Sequence, residues 1–163
     1  MNQPRYRQLA TELRTKGRAY GIYASSWSMR VNLYSYYRLH AWKALEFGAD
    51  YLGLYALINT TFGAAGASNW KMPNSEGLVY RSDEQAIGSI RLEAFRQGLT
   101  DMAYLDLLDE LSKRLNSATA IEAQEFLREA PRKAVYELHH EQDTADMLRE
   151  QAIAYILALQ EGK

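Results

Sequence analysis

The chain has no cysteine among its 163 residues, which excludes a disulfide framework, a thiolate nucleophile and a cysteine-based zinc site. Charge of one sign is equally scarce, since 19 basic side chains stand against 20 acidic ones. With a formal net charge of -1 there is no global field to draw in nucleic acid or an anionic membrane, and neither partner is expected. Long hydrophobic runs are missing too. The most apolar window, Tyr51 to Ile58, falls far short of the roughly 20 residues that carry a helix across a bilayer. Met1 to Arg7 has neither the apolar core nor the small-residue cleavage site of a secretory signal. None is expected at this N-terminus, and the localisation of any longer parent protein is left undetermined. Neither a glycine-rich phosphate loop nor a serine with the elbow spacing of a hydrolase is present.

What is present is a succession of short periodic segments. Pro4 suits the first turn of a helix, and Tyr6, Leu9, Ala10 and Leu13 follow on one face until Lys16-Gly17 stops it. Residues 19–25 are aromatic and β-branched enough for a strand. Leu33, Tyr37, His40, Ala41, Ala44 and Leu45 then recur at helical spacing up to Gly48. Residues 51–58 are apolar throughout and predict a strand covered on both faces. Strand, helix, buried strand is the order of a parallel crossover unit. Residues 59–81 predict a long loop, and loops of that length are usually functional or disordered. Ser82-Asp83-Glu84-Gln85 has the pattern of an N-terminal capping box, with helix expected to about Asn116 and Gly98 marking a break or a close contact within it. Further helices are expected over about 119–130, ended by Pro131, and 144–160.

Two stretches are more specific. Tyr36-Tyr37-Arg38-Leu39-His40-Ala41-Trp42-Lys43-Ala44-Leu45, continued by Gly48-Ala49-Asp50-Tyr51-Leu52-Gly53-Leu54-Tyr55, is the first. Ser89-Ile90-Arg91-Leu92-Glu93-Ala94-Phe95-Arg96-Gln97-Gly98-Leu99-Thr100-Asp101, followed by Tyr104-Leu105, is the second. Together they resemble the C-terminal barrel segment of the glycoside hydrolase family 123-like catalytic domain, over residues 20–110 or so. Relatives often carry Trp near the position of Tyr55, and a fuller aromatic and acidic run where this chain has Asp101-Met102-Ala103-Tyr104.

The resemblance implies an α/β origin for a chain that is itself mostly helical: the last two β/α units of a (β/α)8 TIM-like barrel, plus C-terminal helices. On that basis residues 1–116 form a partial barrel segment, and 117–163 a helical extension packed on it. The family's better-known members remove N-acetylgalactosamine by a substrate-assisted route, one of the exceptions to the usual carboxylate pair. Their catalytic Asp-Glu pair lies several units upstream of the matched region, so no catalytic residue is assigned and this chain alone is expected to be inactive; the alternatives are a non-catalytic carbohydrate-binding or protein-interaction module, or an inactive remnant. The missing N-terminal part of the barrel, or a second copy, is the expected protein partner. An exposed pair of strand edges favours self-association.

Barrel sites are built at the C-terminal ends of strands and in the loops that follow. Trp27, Tyr55, Asn59, Trp70 and Glu76 fall there, beside Ser25 and Ser26. Aromatics that pack on sugar faces, with a few amide and carboxylate groups for hydroxyls, make a carbohydrate the expected ligand. For each aromatic taken singly, packing beneath a loop is the commoner role, and Glu76 fits a solvated acid. Arg38, Trp42, Arg91, Glu93, Arg96 and Asp101 carry the family pattern, and their helical spacing favours structural ion pairs and hydrogen bonds. Asp83-Glu84 fits dipole-favourable capping rather than catalysis. His40 reads as a packing histidine, and His139-His140-Glu141 as a solvated surface, because adjacent helical residues point about 100° apart. No metal or other cofactor is expected.

Overall fold

The structure is a computed structural model that describes residues 3–25, 32–58, 77–81, 85–137 and 143–161. Helix α1 spans Gln3–Thr15, strand β1 Gly21–Ser25, a π-helical turn Tyr34–Arg38, helix α2 Leu39–Phe47 and strand β2 Tyr51–Tyr55. Strands β3 (Val79–Arg81) and β4 (Ala86–Gly88) precede α3 (Ile90–Arg114) and α4 (Ala118–Arg132). A second π-helical turn, Lys133–Glu137, and α5 (Thr144–Glu161) complete the order.

Strands β1 and β2 pair in parallel, with Gly21 opposite Tyr51 and Ser25 opposite Tyr55. The register is set by a clamp at the strand starts. Asp50 accepts a hydrogen bond from the Tyr20 amide at 2.7 Å through its carboxylate, while its own amide donates to the Tyr20 carbonyl at 2.6 Å. Arg14, in the last turn of α1, holds the same carboxylate through Nε at 2.8 Å and donates to the Gly48 carbonyl. Gly48 takes the left-handed conformation, φ 64°, that ends α2 with amide bonds back to Leu45 and Ala44. Thus the turn that stops the helix also aligns the strand after it.

The core lies among the helices. Leu39 and Trp42 of α2 meet Leu105, Leu108 and Leu111 of α3. Ala123, Phe126 and Ala130 of α4 and Leu148, Ala152 and Ile156 of α5 continue the same cluster. A fully buried leucine such as Leu108 contributes about 1.5–3 kcal/mol. The core is thus continuous across residue 116, with α4 and α5 packed on α3.

Several expectations need correction. Strand β2 is not covered on both faces: Tyr51 is 61% and Tyr55 40% exposed, and in β1 Tyr23 is 66% exposed. The uniform apolarity of 51–58 reflects tyrosine on one side and Leu52 and Leu54 on the other. The strand also stops at Tyr55, where the peptide to Ala56 is cis. The stretch expected as loop to residue 81 contains β3, which pairs antiparallel with β4. Residues 82–84 lie outside the described residues, and Ala86–Gly88 is a strand, so the cap of α3 is Ser89, whose hydroxyl accepts from the Leu92 amide. Both stretches offer a serine ahead of an apolar period, but β3 holds Ala86–Gly88 extended. Gly98 does not break α3 but does mark a close contact, against the Arg38 carbonyl, and Pro131 does not end α4, which continues to Arg132 and into the π turn. Among the described residues the strands form two separate two-stranded sheets.

Candidate functional site

Because β1 and β2 are parallel and start in register, their C-terminal ends lie side by side, with Ser25 opposite Tyr55. Tyr36, from the π turn, donates its hydroxyl to the Ser25 carbonyl and fixes that end of the sheet. One face of the sheet holds Gly21, Tyr23 and Ser25 on β1, and Tyr51, Gly53 and Tyr55 on β2. The arrangement is reciprocal. A β-carbon on Gly21 would stand 2.0 Å from the Tyr51 ring, and one on Gly53 would stand 3.3 Å from the Tyr23 ring. Tyr51 and Tyr23 thus each lie over the glycine of the opposite strand, and Tyr55 shares their exposed face of the sheet. On the other side His40 of α2 reaches the Gly53 carbonyl through Nε2 at 2.9 Å. Burial, and secondarily Lys43, hold the His40 ring below the usual histidine range.

Of the expected ligand-binding residues, Tyr55 sits at the exit of β2, partly exposed on the tyrosine face. Trp27, Asn59, Trp70 and Glu76 lie outside the described residues, as do Ser26 and His139, His140 and Glu141. The described strand ends from which the segments bearing Trp27 and Asn59 continue are neighbours. Tyr23 and Tyr51 were not singled out from the sequence. Their signal was the mirrored spacing Gly21-x-Tyr23 and Tyr51-x-Gly53, legible only once parallel pairing is assumed.

Arg38, Trp42, Arg91, Glu93, Arg96 and Asp101 fall into three places. Arg38, Trp42 and Asp101 meet in the interior, where the Asp101 side chain is wholly buried. Asp101 accepts from Arg38 Nε at 2.9 Å, Arg38 Nη2 at 3.2 Å, Trp42 Nε1 at 3.0 Å and Arg149 Nη1 at 3.1 Å. Arg38 and Arg149 also share Asp146 Oδ1, at 2.8 and 2.7 Å. Two guanidinium groups and two carboxylates thereby neutralise one another. Hydrogen bonds from Arg38, more than Arg149, hold the Asp146 carboxyl below the usual range. Burial alone would lower the pKa of Arg38, but its bonds to Asp146 and Asp101 hold it raised. Sequence reasoning missed Asp146 and Arg149; their i, i+3 spacing on α5 was the available signal. Arg91 lies separately, donating to the Tyr80 hydroxyl with its guanidinium near that ring. Glu93 and Arg96 form an exposed i, i+3 pair.

None of these groups is arranged as a nucleophile with a base. Among the described residues no cluster of histidine, aspartate or glutamate could hold a metal ion, and no helix is long and apolar enough to cross a membrane. Comparison of the chain with family models, with curated proteins and with solved structures found no match.

Proposed function

We propose that this chain is the C-terminal part of a glycoside-hydrolase-like (β/α)8 barrel that contributes one wall of a carbohydrate-binding cleft. On this reading the complete protein hydrolyses glycosidic bonds of N-acetylhexosamines by the substrate-assisted route, with the acid and base supplied elsewhere. The observation that supports it is the in-register parallel pair β1–β2, whose adjacent C-terminal ends carry Ser25 and Tyr55. Ligand sites on crossover sheets are built at such ends. Tyr55 offers a ring face for sugar C–H groups, and Trp27, Asn59, Trp70 and Glu76 belong to the segments that leave from those ends.

The test is an NMR titration of the full chain with N-acetylgalactosamine and its β-linked disaccharide, alongside Tyr55→Ala and Trp70→Ala. Saturable shifts that weaken several-fold in both variants support the wall, and the chain alone should leave a chromogenic N-acetylgalactosaminide intact. Absence of saturable binding, or binding indifferent to both substitutions, sinks the proposal.

A second reading, a protein-interaction module, draws on a different observation. Among the described residues no third strand pairs with β1 or β2, and open edges beside an exposed tyrosine face invite association. Light scattering of the purified chain separates the two readings: a monomer at all concentrations argues against self-association.

A further inference from the structure

The near-zero formal charge that argues against a polyanionic partner is the sum of two unlike parts. Residues 1–58 hold eight basic side chains and three acidic ones, whereas residues 59–163 hold eleven and seventeen. Five of the first eight, Arg5, Arg7, Arg14, Lys16 and Arg18, lie on α1 or in the turn that joins it to β1, with Glu12 as the single acid there. Arg7 is held by Glu46 and Arg14 by Asp50, while Glu12 accepts from Gln8 at 2.8 Å. Arg5, Lys16 and Arg18 have no carboxylate partner among the described residues, and every residue from 14 to 19 is exposed. The turn after α1 is therefore a corner where positive charge stands in surplus.

That corner adjoins the start of the β1–β2 sheet, the end opposite to Tyr55. Arg18 precedes Gly21 by three residues, at most about 11 Å of chain. Over Gly21 lies the Tyr51 ring: a β-carbon on Gly21 would meet three ring carbons at once, so the ring rests flat on the strand. Tyr23 covers Gly53 two positions further along the pair, roughly 6–7 Å away. Both tyrosines are largely exposed. Unpaired cations and open aromatic rings thus follow one another along one surface.

We propose that this surface binds single-stranded nucleic acid, with phosphates on Lys16 and Arg18 and bases stacked on Tyr51 and Tyr23. Every base has a flat face for an exposed aromatic ring, and the backbone supplies the anions that the unpaired cations lack. A neutral glycan covers the rings and leaves the cations without a counter-charge. An acidic peptide does the reverse. A duplex keeps its base faces inside the stack and offers phosphates alone. Tyr55 takes no part, so this binding stands or falls independently of the carbohydrate wall.

The experiment follows the fluorescence anisotropy of a labelled oligothymidylate as the full chain is added at several salt concentrations, beside a labelled duplex of the same length and with polyglutamate as competitor. Saturable binding of the single strand is expected, weakening steeply with salt and at least about tenfold tighter than that of the duplex. Lys16→Glu together with Arg18→Glu should remove it, and Tyr51→Ala together with Tyr23→Ala should weaken it about fivefold or more. Absence of saturable binding overturns the proposal, as does a duplex bound as tightly as the single strand, or displacement by polyglutamate at equal charge. Binding that survives the charge reversals, or is indifferent to the tyrosine changes, overturns it too. The comparison of single strand with duplex on the unaltered chain decides the matter even if a variant folds poorly.

Discussion

Gly98 of α3 lies so close to the Arg38 carbonyl that a β-carbon in its place would stand 2.3 Å from the oxygen and 3.1 Å from the carbonyl carbon. The missing side chain lets the long helix settle against the π turn. One turn further along, Asp101 then reaches the Arg38 guanidinium. In an exposed helix interior Gly→Ala stabilises by about 1 kcal/mol. Here the sign should reverse, because rigid backbone must move: Gly98→Ala is expected to destabilise by about 1–3 kcal/mol, as overpacked cores do. Urea denaturation checks this, and a stabilised variant would contradict the close approach.

Asp101→Asn should be among the most damaging conservative changes in the chain. It leaves Arg38 and Arg149 sharing one remaining carboxylate, with Arg38 almost wholly buried. Removing one partner of a buried pair costs about 3–5 kcal/mol. Arg149→Met should cost less, about 1–3 kcal/mol, because Arg38 still pairs with the buried Asp101 carboxylate and only one of its hydrogen-bond donors is lost. The order of the two midpoints in chemical denaturation is the readout.

Stability should fall as the pH drops through the histidine range. Burial holds His40 below its ordinary value of 6.5, so the unfolded chain binds the proton more readily than the folded one. The contribution of a neutral His40 is thus complete above the unfolded value and declines as the pH falls below it towards the folded pKa. His40→Gln keeps a donor for the Gly53 carbonyl and does not titrate. Unfolding free energies measured from pH 7.5 to 5 should slope less in the variant than in the natural chain. A second decline is expected below about pH 4, where Asp146, held low by Arg38, takes up its proton.

The tyrosine face gives a contrasting glycine prediction. At Gly21 a β-carbon would meet the Tyr51 ring rather than backbone, and that ring is already largely exposed. Gly21→Ala should therefore swing the ring into solvent at a cost of about 1 kcal/mol or less. The Tyr51 ring resonances should move towards random-coil values while the fold persists. Loss of cooperative unfolding in this variant would mean that the ring is a structural lid on the strand.

The local elements are legible in the chain's own periodicity, because their signals are local. The stripe from Leu33 to Leu45, with its glycine stop, prescribes the helix over α2, and the apolar periods of 90–114 and 144–161 prescribe α3 and α5. Alternation cannot be read in a stretch where tyrosines and leucines both count as apolar, so the open face of β2 was hidden. The start of α3 was misplaced at Ser82 because two serines offer the same cap, and only the pairing of β3 with β4 selects Ser89. Tertiary structure alone decided that Arg38, Trp42 and Asp101 meet one another and Arg149, 48 residues beyond Asp101. That meeting depends on crossing geometry set by a missing side chain at Gly98 and on the docking of α5, neither of which leaves a local trace. Spacing along the chain dictates which face a residue occupies, but which faces come together is settled by packing.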